Sequence, residues 1–132
     1  MPANIEIQVR FNDLDPYGHV NNTNYLDFME YARSNSFGDM VENGLKNGIW
    51  YIVANIEISY KKPILYGEKA IVTVWVSSAK GARFTINYVI HNGEGKIFAE
   101  AKSVHAAINS QTGAPLRVTE EILSKVEDYT FK

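Results

Sequence analysis

The chain has 132 residues, 45 % of them apolar, with a formal net charge of −2 and no cysteine. That is enough for one domain with one core, spanning 1–132; the near-neutral balance gives no footing for nucleic acid or a membrane surface, and the missing cysteines exclude disulfides, thiolate-bound metals and a cysteine nucleophile. Met1-Pro2-Ala3-Asn4 lacks the basic-then-apolar start of a signal peptide, and no run reaches the roughly 18 apolar residues of a membrane span, so a cytoplasmic protein is expected.

Ile5, Ile7, Val9 and Phe11 alternate with Glu6, Gln8, Arg10 and Asn12, which predicts a strand with one buried face. Residues 12–23, rich in Asp, Asn, Pro and Gly, read as a loop. Tyr25, Phe28, Met29 and Ala32 then recur at helical spacing, with Met40 and Val41 further on. Asn21, Asn22, Thr23 and Asn24 are all N-cap types, and Asn24 has Asp27 three residues later. The helix is expected to fade between Gly38 and Gly44, after about 16–20 residues. Ile52, Ala54, Ile56, Ile58 and Tyr60 form the next alternating set, followed by Ala70, Val72, Val74 and Val76, then by Phe84, Ile86, Tyr88 and Ile90. Asn92-Gly93 signals a hairpin whose two turn positions tolerate positive φ. A last long strand runs from about Lys96 to Ile108. Residues 119–128 suit a short helix, with Thr119 as cap and Glu120 and Glu121 in its first turn. A strand, a long helix and four strands joined by short turns predict an α+β fold: an antiparallel sheet of about five strands with one long helix on one face. The other face and the edges must be managed, and oligomerisation is one way.

Chemistry concentrates in Asp13-Leu14-Asp15-Pro16-Tyr17-Gly18-His19-Val20-Asn21-Asn22, where two carboxylates, a histidine and two asparagines lead into the helix. The first N–H groups of a helix have no partner within it and carry partial positive charge. They can polarise a carbonyl or hold an oxyanion. A carboxylate beside them can attack or can activate water. A thioester needs little more, because a thiolate leaves readily. Gly18 permits close backbone approach, and Pro16 fixes the chain after Asp15 while removing a competing donor. On spacing alone, a turn followed by a helix cap is the commoner meaning of such a string. His19, His91 and His105 form no metal-type cluster, and neither a phosphate-binding glycine loop nor a serine nucleophile elbow is present. No metal and no cofactor is expected.

The stretch from Arg10 to Asn22, followed by Tyr25 and by Glu30-Tyr31-Ala32-Arg33, closely resembles the opening of the hotdog-fold acyl-CoA thioesterases, with the 4-hydroxybenzoyl-CoA thioesterase family as nearest type. It is also similar to the Asp-x-x-x-His-Val-Asn-Asn stretch of the plant acyl-ACP thioesterases. The resemblance implies a sheet wrapped around the long helix and hydrolysis of an acyl-CoA to free acid and CoA. It puts the catalytic carboxylate on Asp15, as nucleophile or general base, and the carbonyl-polarising N–H at or near Asn22. His19 matches the histidine of the acyl-ACP enzymes, which carry asparagine where this chain has Tyr17. Tyr17, Gly18, Asn21 and Tyr25 are the implied substrate contacts. The resemblance further implies a homodimer or homotetramer with its site at the subunit interface, where Tyr60 or Trp75 reaches across. Two other readings stand beside it: an acyl-ACP thioesterase, and a non-catalytic acyl-binding or assembly module, against which Asp15 argues. The signature of the hotdog dehydratases is absent.

Asp13 reads as a loop carboxylate that caps backbone N–H groups. Glu30 and Arg33, one helical turn apart, suit a surface ion pair, and Glu30 alternatively points back to the site. Lys61 and Lys62, with Lys80 and Arg83, either meet the phosphates of CoA or form a solvated strand end. His91 and His105 are expected as half-exposed or hydrogen-bonded strand residues. Trp50, Tyr51, Trp75 and Phe84 are expected in the core, an interface or an acyl pocket.

Overall fold

Apolar alternation does set the sheet. In the computed structural model, which describes residues 1–132, the strands are β1 (Ala3–Ile7), β2 (Ile49–Tyr60), β3 (Ala70–Lys80), β4 (Arg83–His91) and β5 (Ile97–Asn109). They form one antiparallel sheet in the order β1-β3-β4-β5-β2. Helix α1 (Asn24–Lys46) lies between β1 and β2, and α2 (Glu120–Lys125) follows β5. Tyr25, Phe28, Met29 and Ala32 of α1 share one core with Val72, Val74 and Val76 of β3 and Phe84, Ile86, Tyr88 and Ile90 of β4. Each of the larger side chains gains about 1.5–3 kcal/mol from full burial, so the helix is held by its packing more than by its own propensity. The expected α+β arrangement, five antiparallel strands and one long helix, is present. No helix is long and apolar enough to cross a membrane.

Several local expectations are corrected. The first strand stops at Ile7, and Phe11 stands in a 3-10 turn (Phe11–Asp13). Asp13 causes this: its Oδ2 accepts the Arg10 N–H at 2.8 Å and draws the chain out of the sheet. Helix α1 begins at Asn24, with Thr23 as a cap whose side chain accepts from no helix N–H. It runs 23 residues, through Gly38 and Gly44, with one non-helical residue at Phe37 (φ −126°, ψ 16°). Gly44 is there for closeness to β2, since a Cβ at that position would stand 2.8 Å from Tyr51 Cε2. The β4–β5 connection is no two-residue hairpin. Asn92 Oδ1 accepts the N–H groups of Glu94 and Lys96 at 2.8 and 3.0 Å, and positive φ falls on Gly93 and Gly95, not on Asn92. Helix α2 starts as expected, with Thr119 Oγ1 accepting the Ile122 N–H.

Two surfaces of the sheet differ sharply. On one, the C-terminal segment crosses β3 beyond the end of β1: the Glu127 N–H donates to Val76 O at 3.0 Å, Tyr129 meets Trp75 edge-on at 4.8 Å, and Phe131 covers His91 at 4.6 Å. Trp75 therefore lies buried beneath this tail rather than reaching across to another subunit. The other surface is the edge strand β2. Its register slips between Val53 and Asn55, and Trp50, Ile52, Val53, Ile56 and Tyr60 are all exposed. Of the alternating set expected to be buried there, Ile58 packs against the core and the Tyr60 ring meets Tyr25, while Ile52 and Ile56 stay exposed.

Candidate active site

The loop before α1 is tied at both ends by Asp13. Its buried carboxylate takes the Arg10 N–H and, at 3.0 Å, the Arg10 guanidinium. Its carbonyl accepts the Asn21 N–H at 2.7 Å and Asn24 Nδ2 at 2.9 Å. Asp13 is thus the local fastener its position suggested.

Asp15 is held differently. Its Oδ1 accepts the N–H groups of Tyr17 and His19 at 2.9 and 3.2 Å. The backbone closes the same turn, with the Asp15 N–H donating to His19 O at 2.7 Å and the Gly18 N–H to Asp15 O at 3.1 Å. Gly18 sits at φ +80°, where a side chain is strained. One carboxylate oxygen is therefore used to orient the group, and Oδ2 has no partner in the chain. Asp15 opens on a cleft of about 270 Å³ that it shares with His19, Val20, Asn22, Tyr25, Tyr60, Lys61, Lys62 and Pro63.

The start of α1 forms one wall of that cleft. Asn21 Oδ1 accepts both the N–H and the hydroxyl of Thr23, and Asn21 O accepts the Asn24 N–H. The N–H of Asn22 is left with no acceptor in the chain. Tyr60 Oη donates to Asn22 O at 3.1 Å, and its ring stands edge-on to Tyr25 at 5.0 Å, so the end of β2 clasps the helix start. Burial raises the Tyr25 hydroxyl above its ordinary value, and Tyr25 stays neutral in this wall. The opposite wall is stitched on by the Val20 N–H to Ile64 O at 2.8 Å and the Lys61 and Lys62 N–H groups to Phe98 O.

Asp15, His19, Asn22, Tyr25, Lys61 and Lys62 thus come together. Tyr17, Gly18 and Asn21 do not line the cleft: Tyr17 is 83 % exposed, and the other two shape the turn and the helix start. Lys80 and Arg83 stand at the far end of the sheet. Arg83 pairs with Ala106, eight residues along β5 from Phe98, roughly 26 Å away at 3.3 Å per residue. Glu30 neither reaches the cleft nor pairs with Arg33, which turns inward to Tyr88. Sequence reasoning missed Val20 and Pro63 as lining residues and the hydroxyl of Tyr60 as the clasp. The Tyr60-Lys61-Lys62-Pro63 string, where strand alternation ends in charge and proline, was the available signal.

The sequence pattern of the thioesterase-like superfamily matches residues 9–126. The chain is 34 % identical over 115 residues to the YneP protein of Bacillus subtilis (strain 168), covering 85 % of this chain and 83 % of that one. It is 30 % identical over 125 residues to the long-chain acyl-CoA thioesterase FadM of Escherichia coli (strain K12), covering 92 % and 95 %. The crystal structure of the DHNA-CoA thioesterase from Staphylococcus aureus superposes with a TM-score of 0.83 at 27 % identity, over 94 % of this chain and 89 % of that one.

Proposed function

The chain belongs to the thioesterase-like superfamily, and on that premise we propose that it hydrolyses acyl-CoA thioesters to free acid and CoA, with Asp15 as the reacting carboxylate. The observation that carries this reading is the pairing of an oriented carboxylate with an unclaimed donor. Asp15 Oδ2 and the Asn22 N–H both lack partners in the chain and line one cleft. The thioester carbonyl oxygen accepts the Asn22 N–H, where the helix start favours negative charge. Asp15 then takes a proton from water as the water oxygen bonds to the acyl carbon. The tetrahedral intermediate collapses, the C–S bond breaks, and the thiolate leaves and takes up the proton. In the covalent variant Oδ2 itself attacks and water cleaves the resulting anhydride. His19 stands at the rim and shapes the approach of water, and Asn21 acts by holding Thr23. Lys61 and Lys62 meet the phosphates of CoA.

The test is thiol release from matched acyl-CoA and acyl-ACP substrates. Faster turnover of acyl-CoA is expected. Faster turnover of acyl-ACP assigns the other carrier, and no release from either leaves an acyl-binding module.

The same reading includes a homodimer formed through β2. A strand of 12 residues with one unpaired edge and an exposed apolar set is a surface that water disfavours and a second copy satisfies. Pairing about the strand's midpoint, between Ala54 and Asn55, sets the Tyr60 end of one strand over the Ile49 end of the other. Ile56→Glu is expected to convert a dimer to a monomer by light scattering, with the helical CD signal kept. A monomeric wild type at micromolar concentration sinks this part of the proposal.

A further inference from the structure

A second cavity, of about 230 Å³, lies between α1 and the sheet and opens beside Val53 on the β2 edge. Its walls include Phe37, Met40, Tyr51 and Phe84, and none of the groups assigned to the reaction touches it. Among these apolar walls stand Arg33 and His105. They end a row of hydrogen bonds that crosses the core: Arg33 Nη1 donates to Tyr88 Oη at 3.2 Å, Tyr88 Oη meets Ser103 Oγ at 2.6 Å, and Ser103 Oγ meets His105 Nε2 at 2.7 Å.

The row has a direction. Arginine only donates. If Tyr88 donates to Ser103 and Ser103 to His105 Nε2, every hydroxyl proton is used. The reverse order leaves the Tyr88 proton idle in the core, at a cost. We therefore assign the histidine proton to Nδ1. That atom has no partner in the chain, and it is not sealed from solvent. Arg33, half-buried, forms no ion pair. Glu30 lines the same cavity but is exposed and likewise unpaired. Inside the cavity the row offers donors and a positive charge that neither Glu30 nor Ser34, which share its lining, engages.

We infer that this cavity takes the far part of the substrate's acyl group, and that this part carries an acceptor oxygen, a carboxylate or a ketone, which Arg33 holds. The inference rests on the acyl-CoA reading and on β2 pairing, which brings the cleft of one subunit over the cavity end of the other strand. Arg33 is here a specificity-determining residue with no part in breaking the thioester.

The experiment compares kcat/KM for three acyl-CoAs of equal length, ending in a methyl, a carboxylate or a methyl ketone, with wild type, Arg33→Met and Arg33→Lys. Wild type is expected to favour one oxygenated substrate over the methyl-ended one by about tenfold to hundredfold, the scale of a hydrogen bond to a charged group. The favoured arm tells carboxylate from ketone. In Arg33→Met the ratio falls to about one, and Arg33→Lys restores part of it. A wild-type ratio of one or less, or a ratio untouched by Arg33→Met, overturns the inference. If no acyl-CoA is hydrolysed, the enzymatic reading fails by itself. Calorimetric titration with pentanoate, 2-pentanone and pentane then decides: tighter binding of the carboxylate or the ketone than of the hydrocarbon, lost in Arg33→Met, upholds the cavity, and equal binding of all three overturns it.

Discussion

Asp15→Asn is expected to lower kcat/KM for acyl-CoA hydrolysis by at least about 100-fold, the scale on which a positioned base acts, while leaving the fold intact. The substitution is close to isosteric. An amide oxygen can still accept from the Tyr17 and His19 N–H groups at 2.9 and 3.2 Å, so the turn keeps its fastening. What is lost is confined to the position of Oδ2, where an NH₂ group is neither base nor nucleophile. Thermal unfolding of the variant should match wild type closely, while thiol release collapses. His19→Ala should cost less, because the ring makes no hydrogen bond in the chain and the residue serves the turn through its backbone. Unchanged turnover in Asp15→Asn removes the mechanism proposed above.

Stability is expected to fall by about 3 kcal/mol between pH 6.5 and 4 through one residue, His105. Burial, with Arg33 nearby, lowers its pKa from 6.5 to about 4. The sign follows from which state binds the proton. Above pH 6.5 neither the folded nor the unfolded chain protonates this residue, and stability does not depend on it. Between 6.5 and 4 the unfolded chain takes the proton and the folded chain refuses it, so each pH unit costs up to about 1.4 kcal/mol. Below 4 both states are charged and the loss levels off. Burial lowers His91 as well, which acts in the same direction. Glu68, held below its usual value by Lys96, adds its own loss at the acid end. His105→Gln separates these contributions: it keeps a hydrogen-bonding side chain for Ser103 and removes the titration. Urea unfolding at pH 7 and 4.5 should show a clearly shallower slope in the variant, and equal slopes would rule out this origin.

Period-two alternation placed the start of β3 and both ends of β4 to within a residue, because these strands have a core on at least one face and the pattern is written by that burial. It failed at both ends of the first half. Val9 and Phe11 continue the alternation of β1, yet Asp13 takes the Arg10 N–H and ends the strand, a contact that spacing does not reveal. Gly38 and Gly44 read as stops, but Gly44 is small because Tyr51 crosses there, a tertiary reason invisible along the chain. On β2 the alternation holds only in part: the register slips between Val53 and Asn55, so Ile58 packs on the core while Ile52 and Ile56 are exposed. For the loop from Asp13 to Asn22, the resemblance puts the reacting carboxylate on Asp15, while local turn chemistry makes Asp13 a fastener. The turn geometry that separates them, one carboxylate consumed and one half free, exists only once the chain is folded. Lys80 and Arg83 could not be told from Lys61 and Lys62 without strand register.

The tail-covered part of the sheet and its β2 edge hold one tryptophan each, and the chain has only these two. Trp75 is 6 % exposed beneath Tyr129, and Trp50 is 49 % exposed on β2. The protein therefore carries its own pair of optical reporters. Burial is expected to hold the emission of Trp75 to the blue while the tail stays down, and a red-shifted emission from Trp50 is expected to move to the blue when the edge is covered. A single-tryptophan variant of each kind turns the two surfaces into separate signals, one for the tail and one for the proposed pairing of β2, without any added label.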